Sequence, residues 1–227
     1  MRQEGETHFI DTEIMQVEVQ TVTKRFLLGA SILCLLLSFG ACSKGPSTYY
    51  PLDHGKTWRY EILGQGAENL ALTVTNLAPR QLDGTMITPQ RLDSQILGQR
   101  HYLFEYYGTD LKGIYRFAVQ REQDAEPQRE TDAIQHYILK GPMEVGNRWI
   151  FPVDFVSPRP YPESVEATIE ATNETVDVPA GTFKGCIKVR IGAAADSHVT
   201  YEWFAPSVGM VKGFANGSSI QLVSFTK

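Results

Sequence analysis

The chain has 227 residues, with 21 Lys+Arg against 26 Asp+Glu, a net charge of −5, and 42% hydrophobic residues. That is enough apolar material for a packed core, in one large domain or two small ones. The acidic balance argues against nucleic acid, whose phosphates attract basic proteins, and no clustered metal-ligand spacing, Gly-rich phosphate loop or nucleophile motif is present.

Residues 1–23 carry five acids (Glu4, Glu6, Asp11, Glu13, Glu18) and one base, Arg2. Such a stretch does not suit the start of a targeting signal. An incorrectly assigned start is the expectation, with initiation at Val22 giving a short basic opening. Lys24 and Arg25 then precede an apolar run, 26–39, followed by Gly40-Ala41-Cys42. A basic end, a short apolar segment and small residues describe a secretory signal. The run is short for a membrane crossing, which takes about 20 apolar residues.

Phe39-Gly40-Ala41-Cys42 resembles the bacterial lipoprotein signal, with Phe39 where that family usually has Leu. The resemblance implies that Cys42 becomes the N-terminus after cleavage of 1–41 and carries a diacylglyceryl thioether, with acylation of its amine possible. Two or more acyl chains anchor a protein firmly, whereas one does so only marginally. Ser43 rather than Asp follows the cysteine. By resemblance to Gram-negative lipoproteins this implies the outer membrane, facing the periplasm. Residues 42–48 then form a lipidated tether. Beyond residue 41 the chain has 18 Lys+Arg against 21 Asp+Glu, a net charge of −3, and apart from Cys42 only Cys186 remains of the cysteines, so no internal disulfide can form. The domain must rely on its core.

Strand signals dominate from residue 49 onward, and no segment there has a long helical period. Alternating, β-prone stretches cover 57–62, 70–75, 101–106 and 113–117, then 148–151, 165–170, 186–191, 199–204 and 220–225. The second group repeats the first. Pro51…Gly55…Trp58 parallels Pro142…Gly146…Trp149. Gly84-Thr85 parallels Gly181-Thr182, and Phe104-Glu105-Tyr106-Tyr107 parallels Tyr201-Glu202-Trp203-Phe204. Gly113-Ile114-Tyr115-Arg116 parallels Gly209-Met210-Val211-Lys212. The offsets are 91, 97, 97 and 96. A duplicated β-meander of about 95 residues follows, with halves at 49–118 and 134–227. The expected fold is all-β, a curved antiparallel sheet or open barrel; two packed sheets or a closed barrel are alternatives. Pro179-Ala180-Gly181-Thr182 is expected as a tight turn. The charged stretch 120–131 is expected as an exposed loop, and the Pro-rich 152–164 as a loop or extended edge.

Tyr49-Tyr50-Pro51-Leu52-Asp53-His54-Gly55-Lys56-Thr57-Trp58 resembles the opening of a group of bacterial envelope lipoproteins without an agreed activity. Val178–Cys186 and Tyr201–Lys212 are similar to that group's later signature. The resemblance implies an open, curved antiparallel sheet like that of periplasmic lipoprotein carriers, and brings no catalytic or ligand residues.

Candidate chemistry is sparse. His54, His101, His136 and His198 make no close ligand pair, so no metal site and no cofactor is expected. Cys186 is expected as a buried, inert thiol; an activating role for Lys184 and Lys188 would need both beside it. Glu105 and Glu202 lie between aromatics, and alternation is expected to put them on a solvated face rather than in an acid/base pair. Tyr102, Phe104 and Tyr106, with Tyr201 and Trp203, alternate along two equivalent strands. They are expected to line one face, as core or as an apolar groove for a lipid. The resulting expectation is a non-enzymatic, lipid-anchored envelope protein that binds a hydrophobic ligand or a partner protein. A structural or assembly factor without a cavity is the alternative, and an enzyme ranks below both. The membrane, reached through Cys42, is the expected partner surface.

Overall fold

The computed structural model describes residues 44–64, 67–96, 99–130, 135–152, 164–192, 199–215 and 217–226. The signal, Cys42 and most of the Pro-rich stretch lie outside the described residues. A single helical turn, α1 (Pro46–Tyr49), leads into strands. The first half contains β1 (Thr57–Gly64), β2 (Ala67–Asn76), β3 (Arg80–Leu82), β4 (Thr85–Ile96), β5 (Gln99–Thr109), β6 (Gly113–Arg121), β7 (Gln128–Arg129) and β8 (His136–Lys140). The second contains β9 (Arg148–Pro152), β10 (Ser164–Val178), β11 (Gly181–Ile191), β12 (Thr200–Ala205), β13 (Gly209–Ala215) and β14 (Ser218–Phe225). No helix among the described residues is long and apolar enough to cross a membrane.

All strands join one antiparallel sheet, in the order β7-β6-β5-β4-β2-β1-β14-β13-β12-β11-β10-β9, with β3 on β4 and β8 on β6. The fold is therefore the expected all-β curved sheet. Each half is a meander, β1-β2-β4-β5-β6-β8 and β9-β10-β11-β12-β13-β14. One junction between them is a ladder: β14 pairs with β1 from Trp58↔Phe225 to Leu63↔Ser219. At the other, β8 lies against β9, joined by bonds such as Trp149 Nε1–H to the Tyr137 carbonyl at 2.9 Å. Because β8 pairs with β6, hydrogen bonding places it with the first half.

The duplication is visible in backbone bonds. Gly55 N–H donates to Asn76 O at 2.9 Å, and Gly146 N–H to Ile169 O at 2.9 Å. In return, Asn76 N–H donates to Lys56 O and Ile169 N–H to Asn147 O. Gly55 and Gly146 have φ of 84° and 89°, a region that costs other residues steric strain. Both turns aim a buried Trp, Trp58 or Trp149. A bulge recurs too. Tyr106↔Ala118 is followed by Tyr107↔Arg116, and Trp203↔Lys212 by Phe204↔Met210. The extra residue is Phe117 in one copy and Val211 in the other. This register places Met210, not Lys212, where Arg116 stands. The Gly113/Gly209 alignment suggested by the sequence is thus shifted by two residues, because the β5–β6 hairpin runs one pair further beyond the bulge, to Thr109↔Ile114, than the β12–β13 hairpin, which ends at Ala205↔Gly209.

The hairpin of β10 and β11 is long and carries register shifts between Ile169 and Thr175. They let it bend back, and Ala180 N–H donates to Leu222 O at 3.0 Å. Val176 and Cys186 from this hairpin join Trp58, Tyr60, Val211 and Leu222 in a buried cluster. The turn at 179–182 is as expected. The charged stretch is only partly a loop: β7 pairs with β6, and Glu130 reaches the buried Arg116.

Candidate functional site

A partly open cavity of about 230 Å³ lies on the inner side of the sheet, large enough to admit a small ligand. Tyr50, Trp58, Tyr60, Tyr107 and Phe204 supply its rings, Leu72, Val74, Leu92, Ile138 and Met210 its aliphatic wall, and Gln90, Glu105, Arg116 and Glu202 its polar groups. The rings are close together: the centroids of Tyr50 and Tyr107 are 5.3 Å apart, and those of Tyr50 and Phe204 6.3 Å.

The strand register explains this lining. Trp58 stands opposite Val74 and Tyr60 opposite Leu72, so alternate residues of β1 and β2 face inward together. In the first half Asn76 pairs with Gln90 and Gln90 with Glu105, forming one row across β2, β4 and β5. The corresponding row in the second half is Ile169, Val189 and Glu202. Both glutamates face the cavity, which corrects the expectation of a solvated face. Alternation holds along β5 and β12, but the side carrying the glutamates is the inner one.

Every member of the first-half row is hydrogen-bonded. Asn76 Nδ2 donates to the Pro51 and Asp53 carbonyls at 3.1 and 3.0 Å. Gln90 Nε2 donates to Asn76 Oδ1 at 2.8 Å, and Tyr50 O–H to Gln90 Oε1 at 3.0 Å. Tyr107 O–H donates to Glu105 Oε2 at 2.5 Å. Arg116 Nη1 donates to Glu105 Oε1 at 3.0 Å, and Arg116 Nε to Glu130. Such pairing is what allows a charge to be buried. Burial first, then the negative Glu105, holds the Tyr50 and Tyr107 hydroxyls far above their ordinary range. Both stay protonated.

Glu202 has none of this. Its side chain makes no hydrogen bond or ion pair among the described residues, and its row-mates Ile169 and Val189 are buried and apolar. Burial and then the nearby Glu105 charge raise its pKa from 4.5 to about 7. The other polar handles of the wall are spent inside the protein. Trp58 Nε1–H donates to Val208 O at 2.6 Å and Tyr60 O–H to Met210 O at 2.9 Å. Among the described residues, Glu202 and the carbon surfaces of the rings are what remain for a ligand.

The five aromatics singled out from the sequence do not line the cavity. Tyr102 and Phe104 meet edge to face at 5.8 Å on the opposite side of β5, under the Arg91 guanidinium. Tyr106 is buried there beneath Arg80 of β3. Tyr201 and Trp203 lie 6.2 Å apart on β12, with Lys188 over both and Lys212 over Trp203. The Trp203 indole also donates to Glu174 at 2.6 Å. These rings pair with cations on the outer face. The inner residues could have been found from the same alternation, had the carboxylates been read as facing inward.

Cys186 is fully buried, and burial followed by Glu174 raises its thiol to about 11. Lys188 is engaged with Glu170 at 3.0 Å. This is an inert thiol. Lipidation of Cys42 lies outside the described residues.

No protein-family model matches the chain, and no curated protein matches it. Two solved structures are similar in outline. One is a protein assigned as exported, with a YmcC-like fold, from Bacteroides fragilis. It is 15% identical, with a TM-score of 0.41, over 79% of this chain and 99% of that one. The other is a protein assigned as a lipoprotein from Parabacteroides distasonis, 14% identical with a TM-score of 0.43, over 79% of this chain and 98% of that one. Likeness at this level transfers no function to this chain.

Proposed function

We propose that this protein is a lipid-anchored component of the bacterial cell envelope that binds a small molecule in the hollow of its β-sheet without transforming it. The observation that carries the reading is the ring-lined cavity of about 230 Å³. It is concave, largely apolar and has few polar groups, the ordinary make-up of a ligand site. A non-catalytic role is supported by the state of Glu105. Its two oxygens are engaged by Arg116 and Tyr107, which leaves one free carboxyl where two-carboxylate hydrolysis uses a pair. The lipid anchor rests on the Phe39-Gly40-Ala41-Cys42 signal, and the outer-membrane address on Ser43. Native mass spectrometry of the full chain, purified in detergent from a bacterial envelope, tests both parts. A mass increment of diacylglycerol on Cys42 and a stoichiometric small molecule released on unfolding are expected. An unmodified Cys42 overturns the anchor, and an empty protein that takes up no small molecule overturns the binding role.

A further inference from the structure

The chemistry of the cavity points to a class of ligand. This inference rests on the cavity being a binding site. Its walls are rich in rings, and the polar ends of Trp58, Tyr60 and Tyr107 are already bonded to Val208, Met210 and Glu105. A ring face carries negative potential and attracts cations. The charges agree. Arg116 is the one cation among the described lining residues, and it is held between Glu105 and Glu130. Glu202 is an additional carboxyl with no bonded partner among the described residues. The nearby basic residue on the next strand does not serve it: Lys212 sits over Trp203 on the outer face, 5.6 Å from the ring centroid.

We infer that the cavity binds an organic cation, an alkylammonium group, with Glu202 as its counter-ion and Trp58, Tyr60 and Phe204 among its walls. An apolar ligand would leave the half-buried Glu202 carboxyl without compensation, a neutral hydroxyl or amide would meet it with a hydrogen bond but no charge, and an anion would meet repulsion. Among the described residues, no group of three His, Cys, Asp or Glu side chains is placed to hold a metal ion, and Glu105 is occupied. An alkylammonium satisfies both surfaces at once: its charge meets the carboxylate and its methyl or methylene groups meet the rings. The same negative charge on Glu202 reaches Tyr50 and Tyr60, adding to the burial that keeps their hydroxyls protonated.

The test uses the full chain in detergent and three probes: choline, its neutral carbon isostere and butyrate, titrated calorimetrically at pH 8. Choline is expected to bind about tenfold or more tighter than the isostere, and butyrate not to bind. Glu202→Gln should erase the difference between choline and isostere. This variant keeps the shape of the side chain and removes a half-buried charge, so its fold should persist. Equal binding of choline and isostere to the native chain overturns the cation inference and leaves the binding role standing. Binding of butyrate alone overturns it in the same way. Failure of all three probes to bind overturns the inference, and with an empty protein from the envelope it overturns the binding role too.

Discussion

Glu105 and Glu202 hold the same place in two copies of one β unit, and their surroundings are opposite. Across the first copy runs Asn76, Gln90 and Glu105, with Arg116 alongside; across the second, Ile169, Val189 and Glu202, with Met210 alongside. The first row is a bonded polar chain that fixes Tyr50 and Tyr107 in the cavity wall. The second row is hydrophobic core in which one carboxyl has been kept. A half-buried carboxylate without a partner works against folding, so Glu202 is not there for stability. The comparison separates a scaffold side from a recognition side within one duplicated fold.

Copying the second half into the first is the most damaging way to test this. Arg116→Met puts the Met210 residue at the equivalent place and leaves Glu105 and Glu130 without their guanidinium. A loss of about 3–5 kcal/mol in denaturant unfolding is expected. A loss below about 1 kcal/mol would show that the ion-pair chain is not what holds the first row.

Glu202→Gln should act in the other direction, and with pH. The folded pKa of Glu202 is raised from 4.5 to about 7, so the folded state holds its proton more tightly than the unfolded chain. That contribution is fully present below about 4.5, declines as pH rises, and is lost once pH passes about 7. The gain of Glu202→Gln over the native chain should therefore be near zero at low pH and grow to about 3 kcal/mol above pH 7. A gain independent of pH would contradict the assignment.

Asn76→Ile imports the residue of the second row and strips Gln90 and two carbonyls of a donor or acceptor. It should cost about 1–3 kcal/mol. Adding Gln90→Val should cost less than the two single losses summed, because the pair is coupled through one bond. The smallest effect is expected outside. Tyr102→Ala removes a half-exposed ring beneath Arg91 and should cost about 0.5–1 kcal/mol, with choline affinity unchanged. A tenfold loss of choline binding in that variant would return the site to the outer face.

Much of the architecture was legible in the residues. Alternation in 57–62 or 186–191 marks strands because β-branched and aromatic side chains repeat every second position. The repeat of Gly55…Trp58 in Gly146…Trp149 marks the duplication. Strand β4 gave no such signal: Thr85–Ile96 is largely polar and contains Pro89, which sits where β2 leaves the ladder and whose carbonyl accepts from Leu77 N–H. The site was half legible. Alternation divides β5 into a Tyr102-Phe104-Tyr106 side and a Glu105-Tyr107 side but does not say which is concave. That choice depends on Arg116 and on Glu130, a residue of the charged stretch, meeting Glu105 across three strands. Such partners are distant in sequence and invisible to a local pattern. The two-residue shift that gives Glu105 an arginine and Glu202 a methionine is likewise set by the length of the hairpin beyond the bulge rather than by motif.

The central claim is that Glu202 is a half-buried carboxyl, unpartnered among the described residues and awaiting a cation. Carbon-13 NMR of its side-chain carboxyl, titrated in the free protein and again with choline, tests it most directly. The account predicts a midpoint near 7 without ligand, moving down towards the ordinary carboxylate range when choline fills the cavity. A midpoint near 4.5 in the free protein, or one that choline leaves unmoved, would contradict it.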